Sequence, residues 1–194
     1  VSKQFLIQDS ASAEEMLKRD IVNAISDKLE ATILGSAAGS ATMPAGIFNG
    51  VTAETKDITY KRLVDMETAL EEANVAGNKC FIVSPSAKGI LKTTAKDALY
   101  NVTDGGVHTC VGCAGCLMEE NEVNGYPVYC TSNVTSKGVV MGHFEDFVIG
   151  QWGGIDLTVD PYTQAANGKV RLVINAYFDA KPRRTGSFQK AILK

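Results

Sequence analysis

Residues 123–147 read Val123-Asn124-Gly125-Tyr126-Pro127-Val128-Tyr129-Cys130-Thr131-Ser132-Asn133-Val134-Thr135-Ser136-Lys137-Gly138-Val139-Val140-Met141-Gly142-His143-Phe144-Glu145-Asp146-Phe147. Frequent glycine and β-branched residues without a helical period mark strands, at 123–130, at 138–141 and from Phe147 to Gln151. Towards the C-terminus, Ile155, Leu157 and Val159 alternate with Asp156 and Thr158, which predicts a strand over 155–159. Gly153-Gly154, between two strand candidates, suits a bulge or a tight turn. The last long strand is expected over 169–178, with Val170, Leu172, Ile174 and Ala176 on one face.

Upstream of 100 the period changes to that of helices. Ser12 and Glu15 have capping-box spacing, and Glu14 adds negative charge to the first turn. Leu17, Ile21, Ile25, Leu29 and Ile33 then recur at four-residue steps before Gly35, which predicts a long helix with a glycine stop. Each such step advances about 40° around the axis, so the stripe wraps and meets more than one surface. A core helix lying obliquely on a sheet is the simplest structure that accounts for it. Residues 35–50, rich in Gly, Ala and Ser with Pro44 among them, read as an extended irregular connection. A second helix is capped near Thr59, presents Leu63, Met66, Leu70 and Ala73 on one face, and stops at 74–77. Cys80-Phe81-Ile82-Val83 reads as a buried strand, and Ser84-Pro85 as the cap and first turn of a helix reaching about Lys92. The class is α+β with a mixed or antiparallel sheet, and no fixed-period repeat is present.

With 194 residues the chain has room for one sizeable domain or two small lobes. Its 45% hydrophobic and 21% charged content is ordinary for a globular protein, and no apolar run approaches the roughly 20 residues that span a bilayer. A net charge of -3 argues against a dedicated nucleic-acid binder. Lys181, Arg183 and Arg184 form a small basic patch, read as a solvated or ion-paired face. The chain starts at Val1 without a signal-peptide pattern, so residue 1 is taken not to be the natural start. Five cysteines without a secretory signal are read as reduced thiols, and the sequons at Asn101 and Asn133 as coincidence.

One constellation resembles a chemical site. Cys110, Cys113 and Cys116 stand at two-residue gaps, with His108 before them and Cys130 after. Closely spaced thiolates suit zinc or an iron–sulfur cluster, but no fourth cysteine follows within the run and no second paired motif exists. Alternation with Gly and Ala suits small buried side chains, and packing is the reading adopted. Neither histidine lies in a nucleophile motif, and His143 between Gly142 and Phe144 reads as a strand or turn position. Glu145, Asp146, Asp156 and Asp160 are read as solvated turn formers rather than acid–base catalysts. Phosphate-binding glycine loops are absent. No catalytic, cofactor-binding or metal-ligating residue is assigned; the chain reads as a non-enzyme with a surface function and no cofactor.

The ordered segments Asn124-Gly125-Tyr126-Pro127-Val128, Thr131-Ser132-Asn133-Val134 and Gly142-His143-Phe144-Glu145-Asp146-Phe147 resemble a stretch typical of tailed-phage major capsid proteins with the HK97-type fold. Gly153-Gly154-Ile155 followed by Val159-Asp160-Pro161-Tyr162 looks like that family's next strand and turn, and 168–180 like its penultimate long strand. Upstream, residues 30–34 and Pro44-Ala45-Gly46-Ile47 resemble the end of its spine helix and a glycine-proline-glycine loop. The matches run in order from about Ser10 to Leu193.

The resemblance implies a long spine helix, a peripheral lobe and an axial lobe. Residues 1–50 would form the spine helix and connecting loop of the peripheral lobe, 51–135 mainly the axial lobe, and 136–194 the return strands completing both. It implies a self-assembling subunit whose pentamers and hexamers form a phage or prophage head shell enclosing DNA. The arm and extended loop that precede the spine helix in the family would lie upstream of this sequence, and no crosslinking residue is carried over. Implied partners are other copies of the chain, with portal, scaffold or maturation protease, and packaged DNA through weak non-specific contact. The implied location is the virion, assembled in the bacterial host cytoplasm, with no membrane. The alternatives are an encapsulin-like nanocompartment shell and a Cys-rich metal-binding protein using Cys110, Cys113, Cys116 and Cys130.

Overall fold

The computed structural model describes residues 1–2, 4, 10–96, 103–104, 107–108 and 115–194. They divide into two compact units, one of residues 1–30 with 149–179 and one of 31–148 with 180–194.

The second unit is built on a five-stranded mixed sheet. In chain order its strands are β1 (Cys80–Val83), β4 (Glu122–Val123), β5 (Tyr126–Cys130), β6 (Gly138–Gly142) and β9 (Phe188–Ile192), arranged β4-β5-β1-β6-β9. A separate antiparallel pair, β2 (Thr103–Asp104) and β3 (Val107–His108), lies between β1 and β4 in sequence. The short apolar run at 80–83 becomes the central strand, parallel to β5 and antiparallel to β6, and this explains its lack of polar alternation. Phe81 and Val83 are fully buried there. Helix α2 (Tyr60–Glu72) starts at the expected cap, Thr59, and buries Leu63, Met66 and Leu70. It ends in positive-φ residues at Asn74 and Gly77. Helix α3 (Pro85–Thr93) is capped by Ser84, whose hydroxyl accepts from Ala87 N at 3.2 Å, with Pro85 in the first turn. Leu63, Met66, Leu70, Phe81, Val83, Leu91, Val139 and Met141 belong to one core cluster.

The 123–130 run departs from expectation. It is two strands, because Asn124 (φ 52°) and Gly125 (φ 80°) form a two-residue hairpin turn that places Val123 opposite Tyr126. Two successive left-handed residues match the twist of the strands they join, and Asn-Gly adopts them at low cost.

Helix α1 (Ser10–Ile33) ends just before Gly35, as the stripe predicted. Its start differs: Ser12 and Glu15 lie inside the helix, so they do not form its cap. Leu17, Ile21, Ile25 and Leu29 are half-buried rather than core, and Ile33 is buried. The connection at 35–50 has no helix or strand, yet it docks closely. Ile47 N donates to Ile33 O at 2.7 Å, Phe48 N to Gly35 O at 3.0 Å, and Phe48 is fully buried. These bonds, with Thr135 N to Leu34 O at 3.2 Å, satisfy carbonyls that a helix end leaves open.

Two long strands, β7 (Phe147–Asp160) and β8 (Arg171–Pro182), pair in a two-stranded sheet. The expected strands at 147–151 and 155–159 are thus one. Gly153, with φ 74°, absorbs an irregularity within the strand where a turn had been an option. β8 runs on to Pro182, beyond the expected end at 178.

Candidate functional site

The residues with chemical potential are dispersed or structurally engaged. Cys110, Cys113 and Asn101 lie outside the described residues, as does the side chain of His108. Cys116 is disulfide-bonded, which corrects the reading of all five cysteines as thiols. Cys80 and Cys130 are free. Burial pushes the Cys80 thiol up, away from the thiolate that nucleophilic or metal chemistry needs. Among the described residues no group of three or more His, Cys, Asp or Glu side chains is placed to hold a metal ion.

His143 is a packing residue. Its ring lies against Gly77, where an added Cβ would meet Cε1 at 2.5 Å, and its Nδ1 is 2.8 Å from Asn78 O. Nε2 stands 3.6 Å from Glu145. Asp146 accepts from Ser187 Oγ at 2.5 Å, and its backbone carbonyl accepts from Arg183 N at 2.7 Å. Asp160 forms a turn in which its carboxylate accepts from Tyr162 N, Thr163 N and the Thr163 hydroxyl. The Thr163 hydrogen bonds are the largest cause holding that carboxyl below its ordinary value. Asp156 is exposed on β7, and the side chains of Lys181, Arg183 and Arg184 are exposed. A groove of about 300 Å³ lined by Asp57, Ile58, Ile90, Thr94, Leu193 and Lys194 holds neither a cysteine nor a histidine.

What stands out instead is an apolar surface on the β7–β8 hairpin. Trp152 is 60% exposed, Ile155 and Leu157 are each 47%, Val159 is 55% and Tyr177 is 69%. Ile149 and Tyr162 are exposed as well. The Trp152 indole folds over Gly150, where a Cβ would lie 2.7 Å from the ring. A two-stranded ribbon has too few layers to bury its own side chains, and several large apolar side chains left exposed on one hairpin suit an interaction face. The alternation of Ile155, Leu157 and Val159 with polar residues predicts a strand over 155–159. The strand is there, but the apolar side chains are exposed, because period-2 patterning says which residues share a face and not what covers it.

Residues 1–191 match the profile of the phage capsid family. The chain belongs to that family. Over 98% of its length it is 26% identical to the major capsid protein of Halomonas phage phiHAP-1, and it spans 30% of that relative. Among solved structures, all of the chain superposes on the capsid of an empty GTA particle with TM-score 0.68 and 16% identity, covering 69% of that chain. It likewise superposes on a chain from Gordonia phage Cozz with TM-score 0.63 and 15% identity, covering 67% of that chain. The SrpI encapsulin of Synechococcus elongatus PCC 7942 matches with TM-score 0.60 and 11% identity over 99% of this chain and 70% of that one. The fold of this phage capsid family member is therefore the expected HK97-type α+β fold. No helix among the described residues is long and apolar enough to cross a membrane.

Proposed function

We propose that the chain is the folded tile of a major capsid protein, acting by self-assembly rather than catalysis. The unit of residues 31–148 with 180–194 serves as the axial lobe, and the unit of 1–30 with 149–179 as the peripheral lobe. The exposed apolar hairpin carries this reading. In a capsid-family chain, a surface of that composition suits burial against further copies of the same protein. Identical surfaces meeting head to tail close into pentameric and hexameric rings, and many weak contacts add up to a stable shell. The virion is the proposed location, with assembly in the host cytoplasm. Portal, scaffold or maturation protease, and packaged DNA touched non-specifically, are the proposed further partners.

Electron microscopy of the full-length protein tests the reading: it fails if rings or shells never form. Likeness to an encapsulin favours, as a second reading, a nanocompartment shell of the same fold. DNA inside purified particles and neighbouring terminase and portal genes support the head shell, whereas particles holding protein cargo support the nanocompartment.

A further inference from the structure

Asparagine is a thermolabile side chain, and most so before glycine, where the next backbone nitrogen can reach the side-chain carbonyl carbon with no side chain in its way. The chain has three such pairs, Asn49-Gly50, Asn124-Gly125 and Asn167-Gly168. All three glycines are exposed, and a Cβ on any of them would meet nothing within 4 Å.

The pairs differ in what the asparagine side chain holds. Asn49 and Asn167 are exposed, and Asn167 Nδ2 donates to Gln164 Oε1 within its own turn at 3.0 Å. Asn124 is half-buried and tied to a distant element. Its Nδ2 donates to Glu67 Oε2 of α2 at 3.4 Å, and the Tyr126 hydroxyl donates to Glu67 Oε1 at 2.9 Å. One carboxylate thus holds the turn between β4 and β5 and the strand that leaves it. Among the described residues, Asn124 Oδ1 is a buried acceptor with no hydrogen-bond partner, so the amide is held by one long bond at Nδ2. The ladder bonds of a two-residue turn belong to the flanking pair, here Val123 and Tyr126, which leaves the Gly125 N–H outside the ladder.

We propose that Asn124 is a site of spontaneous deamidation, and that its conversion detaches the β4–β5 hairpin from α2. As the turn opens, Gly125 N attacks Asn124 Cγ. The N–Cγ bond forms, the Cγ–Nδ2 bond breaks, and Nδ2 leaves as ammonia with the proton from Gly125 N. Water then opens the five-membered imide, giving aspartate where it adds at Cγ and isoaspartate where it adds at the backbone carbonyl carbon. No other reactant is needed.

Aspartate puts an anionic oxygen where a donor faced the Glu67 carboxylate, and Oδ1 has no donor to offset the added charge. Two carboxylates at hydrogen-bond distance repel one another, so the contact that joined turn to helix now parts them. Isoaspartate adds a methylene to the main chain inside the turn and disturbs the pairing of Val123 with Tyr126. Asn49 and Asn167 lie outside α2, β4 and β5, so conversion there leaves this hairpin in place. The proposal concerns the subunit itself and holds whether or not it forms shells.

Peptide mapping of the natural chain, aged in mildly alkaline buffer and labelled for isoaspartate, tests the reaction. Residue 124 is expected to gain about 1 Da and to yield both products, at a rate within about tenfold of that at Asn49 and Asn167. Slower conversion than that, or none, overturns the site. N124D tests the consequence by amide exchange. The Val123 and Tyr126 amides should exchange at least about tenfold faster than in the natural chain, while N49D with N167D leaves them within about twofold. N124D/E67Q, in which residue 67 can donate to the new carboxylate, should return exchange to within about threefold of the natural chain. Unchanged exchange in N124D, or no slowing in N124D/E67Q, overturns the coupling to α2. Should N124D not fold, the converted and unconverted fractions of the aged chain are compared instead, and equal exchange in the two overturns the proposal.

Discussion

Gly46 packs against the backbone of Gly35 so closely that a Cβ on Gly46 would lie 2.2 Å from the Gly35 carbonyl oxygen. This approach lets Ile47 and Phe48 reach the end of α1 with their amides. The neighbour is backbone, which cannot swing aside as a side-chain tip would. G46A is therefore expected to destabilise the 1–194 chain by about 1–3 kcal/mol, the usual cost of overpacking. Urea unfolding measures it, and an unchanged midpoint means that the loop shifts freely.

Ser187, fully buried, donates to Asp146 at 2.5 Å where the chain leaves β6 and where it enters β9. Phe188, the next residue, packs edge-on against Phe144 and Phe147. S187A strips Asp146 of this donor and is expected to cost about 1–3 kcal/mol. The unfolding midpoint should fall accordingly, while the S136A control, at an exposed hydroxyl, moves it less.

Tyr126 donates its phenolic hydroxyl to Glu67 at 2.9 Å, tying the β4–β5 hairpin to α2. Desolvation, and then the hydrogen bond and charge of Glu67, raise its pKa above the ordinary tyrosine value of about 10. A raised folded-state value means that the folded chain holds the proton more tightly than the unfolded chain. The contribution to stability is complete below about pH 10 and is lost as pH rises through the folded value. Denaturant midpoints measured from pH 8 to 11 should fall more steeply for the natural chain than for Y126F. Parallel curves would show that the Tyr126–Glu67 pair carries no such linkage.

Ile155 and Leu157 lie about half exposed on β7, so I155E with L157E should change subunit stability little; surface substitutions commonly stay within about 0.5 kcal/mol each. Introduced into the full-length protein, the pair is expected to lower the yield of rings or shells at least about tenfold by placing unpaired charge in the proposed contact. Particle counts by electron microscopy, alongside circular dichroism of the subunit, check this. Undiminished yield from a folded variant would remove the hairpin from the assembly surface.

The metal alternative carries its own expectation: protein purified without added metal should contain no stoichiometric zinc or iron by elemental analysis. Stoichiometric metal would restore Cys110, Cys113, Cys116 and Cys130 as ligand candidates.

What was legible in advance was mostly local. Thr59 and Ser84 announced α2 and α3 because a cap is a contact between residues two or three apart. The apolar run at 80–83 announced β1, and the five-residue string of leucines and isoleucines announced α1. Asn124-Gly125 carried a hairpin signal that the apolar residues around it masked, so one strand was expected where there are two. The assignment to the capsid family rested on the order of several individually weak motifs, an order that a single sequence preserves in full.

Sequence alone determined the element types, two of the caps, the α+β class and the family. Tertiary structure decided the rest. It placed β1 between a parallel and an antiparallel neighbour, buried Phe48 from a loop that looked like mere connection, and left Ile155, Leu157 and Trp152 exposed on a ribbon. Caps and periodicities depend on neighbours within one turn or one pleat, so they are written in consecutive residues. Strand order and exposure depend on which distant segments meet, and for the apolar hairpin the proposed covering surface belongs to other copies of the chain.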